Sequence, residues 1–405
     1  MAIPAPTSAF GAIPPGADLS VHARELRRIH DAVLAGVRPP TKPRPLVARS
    51  WSRMLSLGLD PDGANARNLV AEGEVERLRR ESPLSLVIDD LRGALTSVAD
   101  ASQFLMVVTD ADGVVLWREG SARVRLVADR LGFTQGARWT EQTVGTNAIG
   151  TALAEAAPVQ LFSAEHFEQQ QHPWYCTAAP VHDPRDGSLA GIVDVSGPAL
   201  TLHPAIVALV ESAVRLAEAG LWRRHLAALE RLRRDSEPLL GGHSGPLLVV
   251  DDHGWVAHHS GIADRDRIEV PRADRSLAVP GLGLCLPERF LDGWLVRPAE
   301  DVRLLAARLD LTGEPLLELG GDHAPWRTTL TRRHAEILEL LGAAGAEGLT
   351  AARLSTALFG DTEHAVTVRA ELSRLRRVVG ALVTTNPYRL ADGVSLTVVR
   401  EERRL

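Results

Sequence analysis

The run from Thr331 to Val399 constrains the fold most. Within it, Val368, Leu372, Leu375 and Val379 recur at i, i+4, i+7 and i+11, the spacing of one core-facing stripe on an α-helix. Thr367, Arg369, Ser373, Arg374, Arg376 and Arg377 fall on the other faces of that helix. Two shorter helices precede it. Thr331 is placed to cap the first, which runs to about Gly342, and Leu349-Thr350 opens the second, Ala351 to Phe359, closed by Gly360. Behind it, Tyr388-Arg389-Leu390 is expected to pair with Leu396 to Val399 across an Asp392-Gly393 turn. From His364 onward eight arginines stand against four acidic residues. Such a face suits phosphates and guanine edges, and equally a solvated helix surface laced with salt bridges.

Three helices and a terminal hairpin are the layout of a winged helix-turn-helix, expected over 326–405. In that layout the third helix enters the major groove of double-stranded DNA. Arg369 and Arg374 suit base edges, with Thr367 and Ser373 as short polar neighbours, while Arg376, Arg377 and Arg389 suit phosphate. The segment resembles the OmpR-type winged helix in its Gly-Leu-Thr entry, its Phe-Gly-Asp helix end, its Val-x-Val-Arg helix start and its Pro-Tyr-Arg-Leu strand.

A chain of 405 residues is too long for one ordinary core, and two to four domains are expected. No apolar run approaches the roughly 18 residues a membrane span needs. The start of the sequence lacks a signal-peptide pattern. Cys176 and Cys285 show no metal-type spacing, which fits a reducing cytoplasm. Net charge −6 argues against nonspecific coating of nucleic acid by the whole chain, though not against a local basic face. Lys42 is the only lysine, and it sits in Pro39-Pro40-Thr41-Lys42-Pro43, far from any glycine-rich turn. A Walker-type phosphate loop, which needs its lysine between such a turn and a helix, is excluded, and Schiff-base chemistry is disfavoured.

The expected architecture is multidomain α+β. Residues 1–20, rich in Pro, Gly and Ala, are expected to be disordered. Residues 21–82 read as helical, with a proline-rich break from Val37 to Pro45. Residues 83–235 read as an α/β sensor: a helix over Leu84 to Val98, then strands at Phe104–Thr109, Val114–Trp117, Val159–Phe162, Cys176–Val181 and Leu189–Val195. A long helix follows from His203 to Arg234, whose imperfect apolar stripe suits a homodimer contact. After a linker, 246–322 is a small β-rich module, PAS-like in outline, with no deciding motif. No internal repeat is evident.

The sensor carries the sharpest signature. Trp139-Thr140-Glu141-Gln142-Thr143-Val144-Gly145-Thr146-Asn147-Ala148-Ile149-Gly150 is followed by Glu165-His166-Phe167, by Trp174 to Pro184, and by Gly191-Ile192-Val193-Asp194-Val195-Ser196-Gly197. This resembles the GAF-type sensor of the bacterial regulators of acetoin and glycerol catabolism. That resemblance implies a GAF fold followed by an ATPase and a Fis-like end. Here the missing lysine removes the ATPase, and a winged helix takes the place of the Fis-like end. Physically, Gly145, Thr146, Asn147 and Gly150 suit a helix entry packed closely on a sheet, with or without a polar ligand. Trp139, Thr146, Asn147, His166, Trp174 and Cys176 are the candidate lining of an effector pocket, although Trp174 and Cys176 read equally as core.

Other chemistries find less support. His166, His172, Cys176, His182 and Asp183 lack the tight spacing of a metal site, so neither metal nor cofactor is expected. Gly242-His243-Ser244-Gly245 is one residue short of a nucleophile elbow. An oxidoreductase working through Cys176 lacks a second nearby cysteine. The residues therefore point to a cytoplasmic, ligand-responsive, non-enzymatic DNA-binding regulator without ATPase activity, with RNA polymerase a further partner and no membrane association. The alternative is a scaffold whose winged helix binds protein.

Overall fold

A computed structural model describes residues 11–62, 68–241, 245–273, 275–279, 282–298, 305–319, 326–385, 387–391 and 394–400. The chain divides into two compact units, one ending at His225 and the other beginning at Leu226. Among the described residues no helix is long and apolar enough to cross a membrane.

The first unit opens with α1 (Leu19–Leu34), α2 (Pro45–Leu57) and α3 (Glu72–Glu81), then α4 (Ile88–Ser102). Asp18 starts α1 by accepting from the amides of Ser20 and Val21, and Pro45 starts α2 with a φ already suited to a helix. Strands β1 (Leu105–Thr109) and β2 (Val115–Gly120) follow, then α5 (Ala122–Arg130), the single turn α6 (Glu141–Val144) and α7 (Ala148–Glu155). β3 (Val159–Phe162), β4 (Trp174–His182) and β5 (Leu189–Pro198) complete an antiparallel sheet of order β2-β1-β5-β4-β3. All five residues of β1 are buried, which is why its first four, Leu105 to Val108, run apolar without alternating. The helix α8 (Ala205–Leu240) carries the chain past the boundary between the units.

The N-terminal helices are not a separate body. Val47, Trp51 and Met54 of α2 lie in the same core as the sheet, and the Trp51 indole donates to the Glu165 carbonyl at 3.0 Å. Each such fully buried side chain contributes about 1.5–3 kcal/mol. Residues 1–10 of the stretch expected to be disordered lie outside the described residues. Beyond them the expectation fails: Ala12 is buried, and its amide donates to Gln160 Oε1 at 2.9 Å.

The second unit begins with another five-stranded antiparallel sheet: β6 (Leu247–Val250), β7 (Val256–Ser260), β8 (Leu277–Val279), β9 (Gly283–Phe290) and β10 (Gly293–Pro298). Next come β11 (Leu305–Asp310), β12 (Leu316–Leu319) and β13 (Trp326–Thr329), then α9 (Arg332–Ala344), α10 (Ala351–Phe359) and α11 (Ala365–Val379). Short strands β14 (Val383–Thr384) and β15 (Arg389–Leu390) precede β16 (Val394–Val399). Thr331 and Thr350 cap α9 and α10 through their side chains, and Gly360, at φ +88°, ends α10 in the left-handed region.

The terminal hairpin expected from sequence does not form. Arg389–Leu390 pairs instead with Val383–Thr384, and Val394–Val399 runs parallel to Leu305–Asp310. The Asp392-Gly393 turn itself lies outside the described residues. The resulting sheet, of order β13-β12-β11-β16, shares one core with α9, α10 and α11. The boundary expected between 322 and 326 therefore falls inside a sheet, because Ala307, Leu309, Leu317 and Leu319 bury their side chains against the three helices.

Candidate functional site

Two regions concentrate polar side chains in ways that packing alone does not require. The first is inside the sheet of the first unit. Cys176 on β4 pairs with Ser196 on β5, and Asp194 lies two residues along the same strand. Side chains alternate along a strand, so all three share one face. His166 arrives from the short turn after β3, its Nε2 3.3 Å from Cys176 Sγ and its Nδ1 2.9 Å from the Ser163 carbonyl. A carbonyl only accepts, so Nδ1 carries the proton and Nε2 accepts from the thiol.

Burial sets the charge of this group. It pushes the Cys176 thiol well up and lowers His166 to about 4, so the pair is neutral at ordinary pH. Burial also raises Asp194 to about 7, against a smaller opposing effect of its bond from Ser196 Oγ, at 2.5 Å. Asp194 Oδ1 has no hydrogen-bond partner, although the residue is fully buried. Nearby, His172 Nε2 is also without one, and the ring, edge-on to His30 at 4.6 Å, is lowered to about 3, chiefly by burial. Leaving such an atom unsatisfied costs about 1–3 kcal/mol. The unpartnered Asp194 Oδ1 leaves one buried hydrogen-bonding position of the kind a neutral hydroxyl or carbonyl group satisfies. It does not suit an anion, since the nearest ionisable groups are held uncharged or acidic.

The other expected pocket residues fall into different settings. Thr146 and Asn147 are buried but engaged. Asn147 Oδ1 caps α7 by accepting from the Gly150 amide at 2.8 Å, and its Nδ2 donates to the Gly145 carbonyl at 2.9 Å. Thr146 Oγ1 lies 2.6 Å from Ser50 Oγ, which in turn donates to Glu141 at 2.6 Å. Arg53 grips both Glu141 oxygens at 2.7 and 2.8 Å, and Thr151 donates to one of them at 2.9 Å. This closed network fastens α2 to α6 and α7. Gly145, at φ +74°, has no room for a Cβ against Phe167, and Gly150 has none against the backbone of Thr140 and Glu141. Trp139 packs on Phe133 at 4.1 Å between ring centres, and Trp174 is buried at the start of β4. Of the six expected residues, only His166 and Cys176 touch through polar atoms.

Asp194 and Ser196 were not among the expected site residues. Their signal was available: two polar residues at i and i+2 inside the strand Leu189–Pro198, otherwise largely apolar, have their side chains on one buried face.

The second region is the outer face of α11. Val368, Leu372, Leu375 and Val379 are buried, while Thr367, Arg369, Ser373, Arg374, Arg376 and Arg377 are exposed. Arg376 Nε donates to the Val383 carbonyl at 3.1 Å, and Arg374 pairs with Glu371 at 3.4 Å. Among the described residues Arg369 and Arg377 make no ion pair. Arg389 is half-buried on β15. Before α11, His364 and Asp361 close the turn at 2.8 Å, and Ser355 Oγ donates to the Asp361 carbonyl at 2.7 Å. Among the described residues no group of three or more His, Cys, Asp or Glu is disposed to hold a metal ion.

Residues 29–218 match the protein family described as the N-terminal domain of MimR. Over 387 residues the chain is 31% identical to an uncharacterized 47.3 kDa protein in the thcA 5' region of Rhodococcus erythropolis, covering 94% of this chain and 72% of that protein. It is 34% identical over 198 residues to the acetoin dehydrogenase operon transcriptional activator AcoR of Bacillus subtilis, covering 48% of this chain and 32% of that one. It is 28% identical over 200 residues to the propane 2-monooxygenase operon transcriptional activator MimR of Mycolicibacterium goodii, covering 49% of this chain and 33% of that one. The matches thus span about a third of the length of the two named activators.

Proposed function

The chain belongs to the family of the Rhodococcus erythropolis 47.3 kDa protein, its residues 29–218 match the N-terminal domain of MimR, and on that premise we propose a ligand-responsive, DNA-binding transcription regulator. The observation that carries this reading is α11, whose apolar stripe is buried while its arginine face is left to solvent. Three helices with a short β14–β15 pair beside them support a winged helix-turn-helix, with α11 as the recognition helix. Arg369 and Arg374 are its base-reading residues, flanked by Thr367 and Ser373, and Arg376, Arg377 and Arg389 its phosphate contacts.

The effector site we propose is the interior around Cys176, His166, Ser196 and Asp194, with Trp174 two residues from Cys176 on the same strand, and with Trp139, Thr146 and Asn147 as more distant supports. The unpartnered Asp194 Oδ1 supports a small neutral oxygen-bearing metabolite as effector. The relative AcoR is named as the activator of an acetoin dehydrogenase operon, and acetoin is a small neutral hydroxyketone of that kind. The effector acts by binding one of two states of a homodimer better than the other. With no phosphate-loop lysine, control runs through ordinary recruitment or blocking of RNA polymerase rather than ATP-driven promoter opening.

The test is selection of genomic DNA fragments by the full-length protein beside an Arg369→Ala/Arg374→Ala variant. A shared site, enriched by the first and lost in the second, is the expected result. Its affinity should fall with salt at a slope near −0.9 per neutralised phosphate. No enrichment by either protein would instead favour a protein-binding role for the same helix.

A further inference from the structure

The sheet of residues 247–298 repeats the sheet of the first unit strand for strand. Its order, β7-β6-β10-β9-β8, is β2-β1-β5-β4-β3 renumbered, and every neighbouring pair in both sheets is antiparallel. The first hairpins agree in detail. Asp110 Oδ1 accepts from the amides of Asp112 and Val114, both at 2.9 Å, and Asp251 Oδ1 accepts from those of His253 and Trp255 at 2.9 and 2.8 Å. Gly113 and Gly254 turn at φ +77° and +82°. The register slips at the same step in both, between Val108 and Thr109 and between Val249 and Val250. The chain then returns so that the amides of Trp139 and Ile268 donate to Gly113 and Gly254, each at 2.8 Å.

Register carries the match into the interior. Asp194 faces Val107, three residues before Asp110, and Cys176 faces Ser196. In the second sheet Val296 faces Leu248, three residues before Asp251, and Cys285 faces Pro298. The two cysteines therefore hold equivalent positions, while Asp194 and Ser196 are replaced by Val296 and Pro298. Among the described residues Cys285 lies with Leu248, Leu277 and Val296, and its thiol reaches only the Gly283 carbonyl, at 3.7 Å.

The opposite face of the second sheet is occupied as well. Leu284, next to Cys285, buries its side chain in the core of the three helices rather than in that of its own sheet. Gly380, the C-cap of α11 at φ +61°, sits so close to the Ser276 carbonyl that a Cβ would collide with it. In the first sheet the positions equivalent to Ser276 and Leu284 are Gln160 and Tyr175. There Gln160 receives Ala12, and the adjoining Phe162 stacks on His22 of α1 at 5.8 Å. In both sheets this face holds an added segment.

We propose that residues 247–298 are a second copy of the sensor sheet that has exchanged its polar interior for hydrocarbon and serves as an adaptor, holding the end of α11 with its back face. Small-molecule sensing stays with the first copy. The functional consequence rests on the reading of α11 as the DNA-facing helix, while the adaptor joint itself does not.

The experiment compares Leu284→Ala with Cys285→Ala in the full-length chain, reading amide hydrogen exchange along α11 and retention of a mixed-sequence DNA duplex. Leu284→Ala should raise exchange over Arg376–Val379 by at least about tenfold and weaken retention, because it empties the joint. Cys285→Ala should loosen only β6, β9 and β10. Gly380→Ala is the second probe should Leu284→Ala fail to fold. It should loosen β8, whereas Gly360→Ala, a glycine at φ +88° with no neighbour near its Cβ, should leave β8 unchanged. Unchanged exchange in α11 with Leu284→Ala, or an equal rise with Cys285→Ala, overturns the adaptor. Exchange as expected in a chain that retains no DNA upholds the joint and removes the DNA reading instead.

Discussion

The interior around Asp194 and the outer face of α11 solve opposite electrostatic problems. In the first, ionisable groups are stripped of water: burial raises Cys176 and lowers His166 and His172, so that these three rest uncharged, and it raises Asp194 to about 7. In the second, arginines remain in water, and a stripe of four apolar residues keeps them there. On the proposed function, recognition by the first depends on shape and single hydrogen bonds and is insensitive to salt. On the same proposal, recognition by the second depends on full charges, which are screened within about 8–10 Å at physiological ionic strength. A regulator needs both kinds, because a neutral metabolite offers no charge to read and a DNA backbone offers little else.

The largest effect that sharpens this contrast is expected from Asp194→Asn. A carboxyl raised from 3.8 to about 7 favours the folded state below pH 4, and that advantage is lost as pH rises through 7. His166 and His172, lowered to about 4 and 3, act in the opposite sense: their contribution is lost as pH falls from 6.5 toward 4. Chemical denaturation of the wild-type protein should therefore show stability rising with pH from 4 to 6.5 and falling slightly toward 7. The Asn variant should keep the rise, lose the fall, and gain up to about 4 kcal/mol on the wild type between pH 4 and 8. A constant difference between the two proteins across that range would mean that Asp194 is not held neutral.

Next in size, Arg369→Ala/Arg374→Ala should weaken binding to a selected site by about 3 kcal/mol, near a hundredfold, since each good guanine contact is worth about 1–3 kcal/mol. Binding isotherms at two salt concentrations check it, and a loss below threefold would break the assignment of base contacts to these two residues. Glu141→Gln should cost about 2–3 kcal/mol in unfolding free energy, because it removes the buried carboxylate that Arg53, Ser50 and Thr151 all bond to and leaves Arg53 only Glu155, at 3.1 Å. It should not change effector affinity if the Ser50–Glu141–Thr146 network only fastens α2. Smallest, Arg377→Ala should lower the salt slope of DNA binding by about 0.9, with affinity reduced evenly across sequences. A loss confined to one sequence would make Arg377 a base reader instead.

The helices of the second unit were legible because amphipathic periodicity is a local signal. Val368, Leu372, Leu375 and Val379 announce α11 without help from the rest of the chain, and Thr331, Thr350 and Gly360 mark helix ends. What failed was pairing. Leu396 to Val399 reads as a strand, but its partner is Leu305–Asp310, on the far side of three helices, and nothing near β16 says so. The nearer partner, Tyr388 to Leu390, was the natural choice and the wrong one. In the sensor, His166 and Cys176 were named for their chemistry, and they do meet. Asp194 was passed over because an acid inside Ile192 to Val195 looks like an interruption until register shows which face it occupies. The repeat escaped notice because loops of different length separate its matching strands, so Asp110 with Asp251 and Cys176 with Cys285 share no constant spacing.

The parallel pairing of β16 with β11 also bears on how the second unit assembles. β11 leaves the ribosome long before β16, and it presents an open row of amides and carbonyls on one side until Val394–Val399 arrives. Such a long-range closure is slow, and the waiting edge is a template for the wrong strand. Among the described residues the second unit is thus closed by β16, and a chain cut short before Val394 would leave the edge of β11 unsealed.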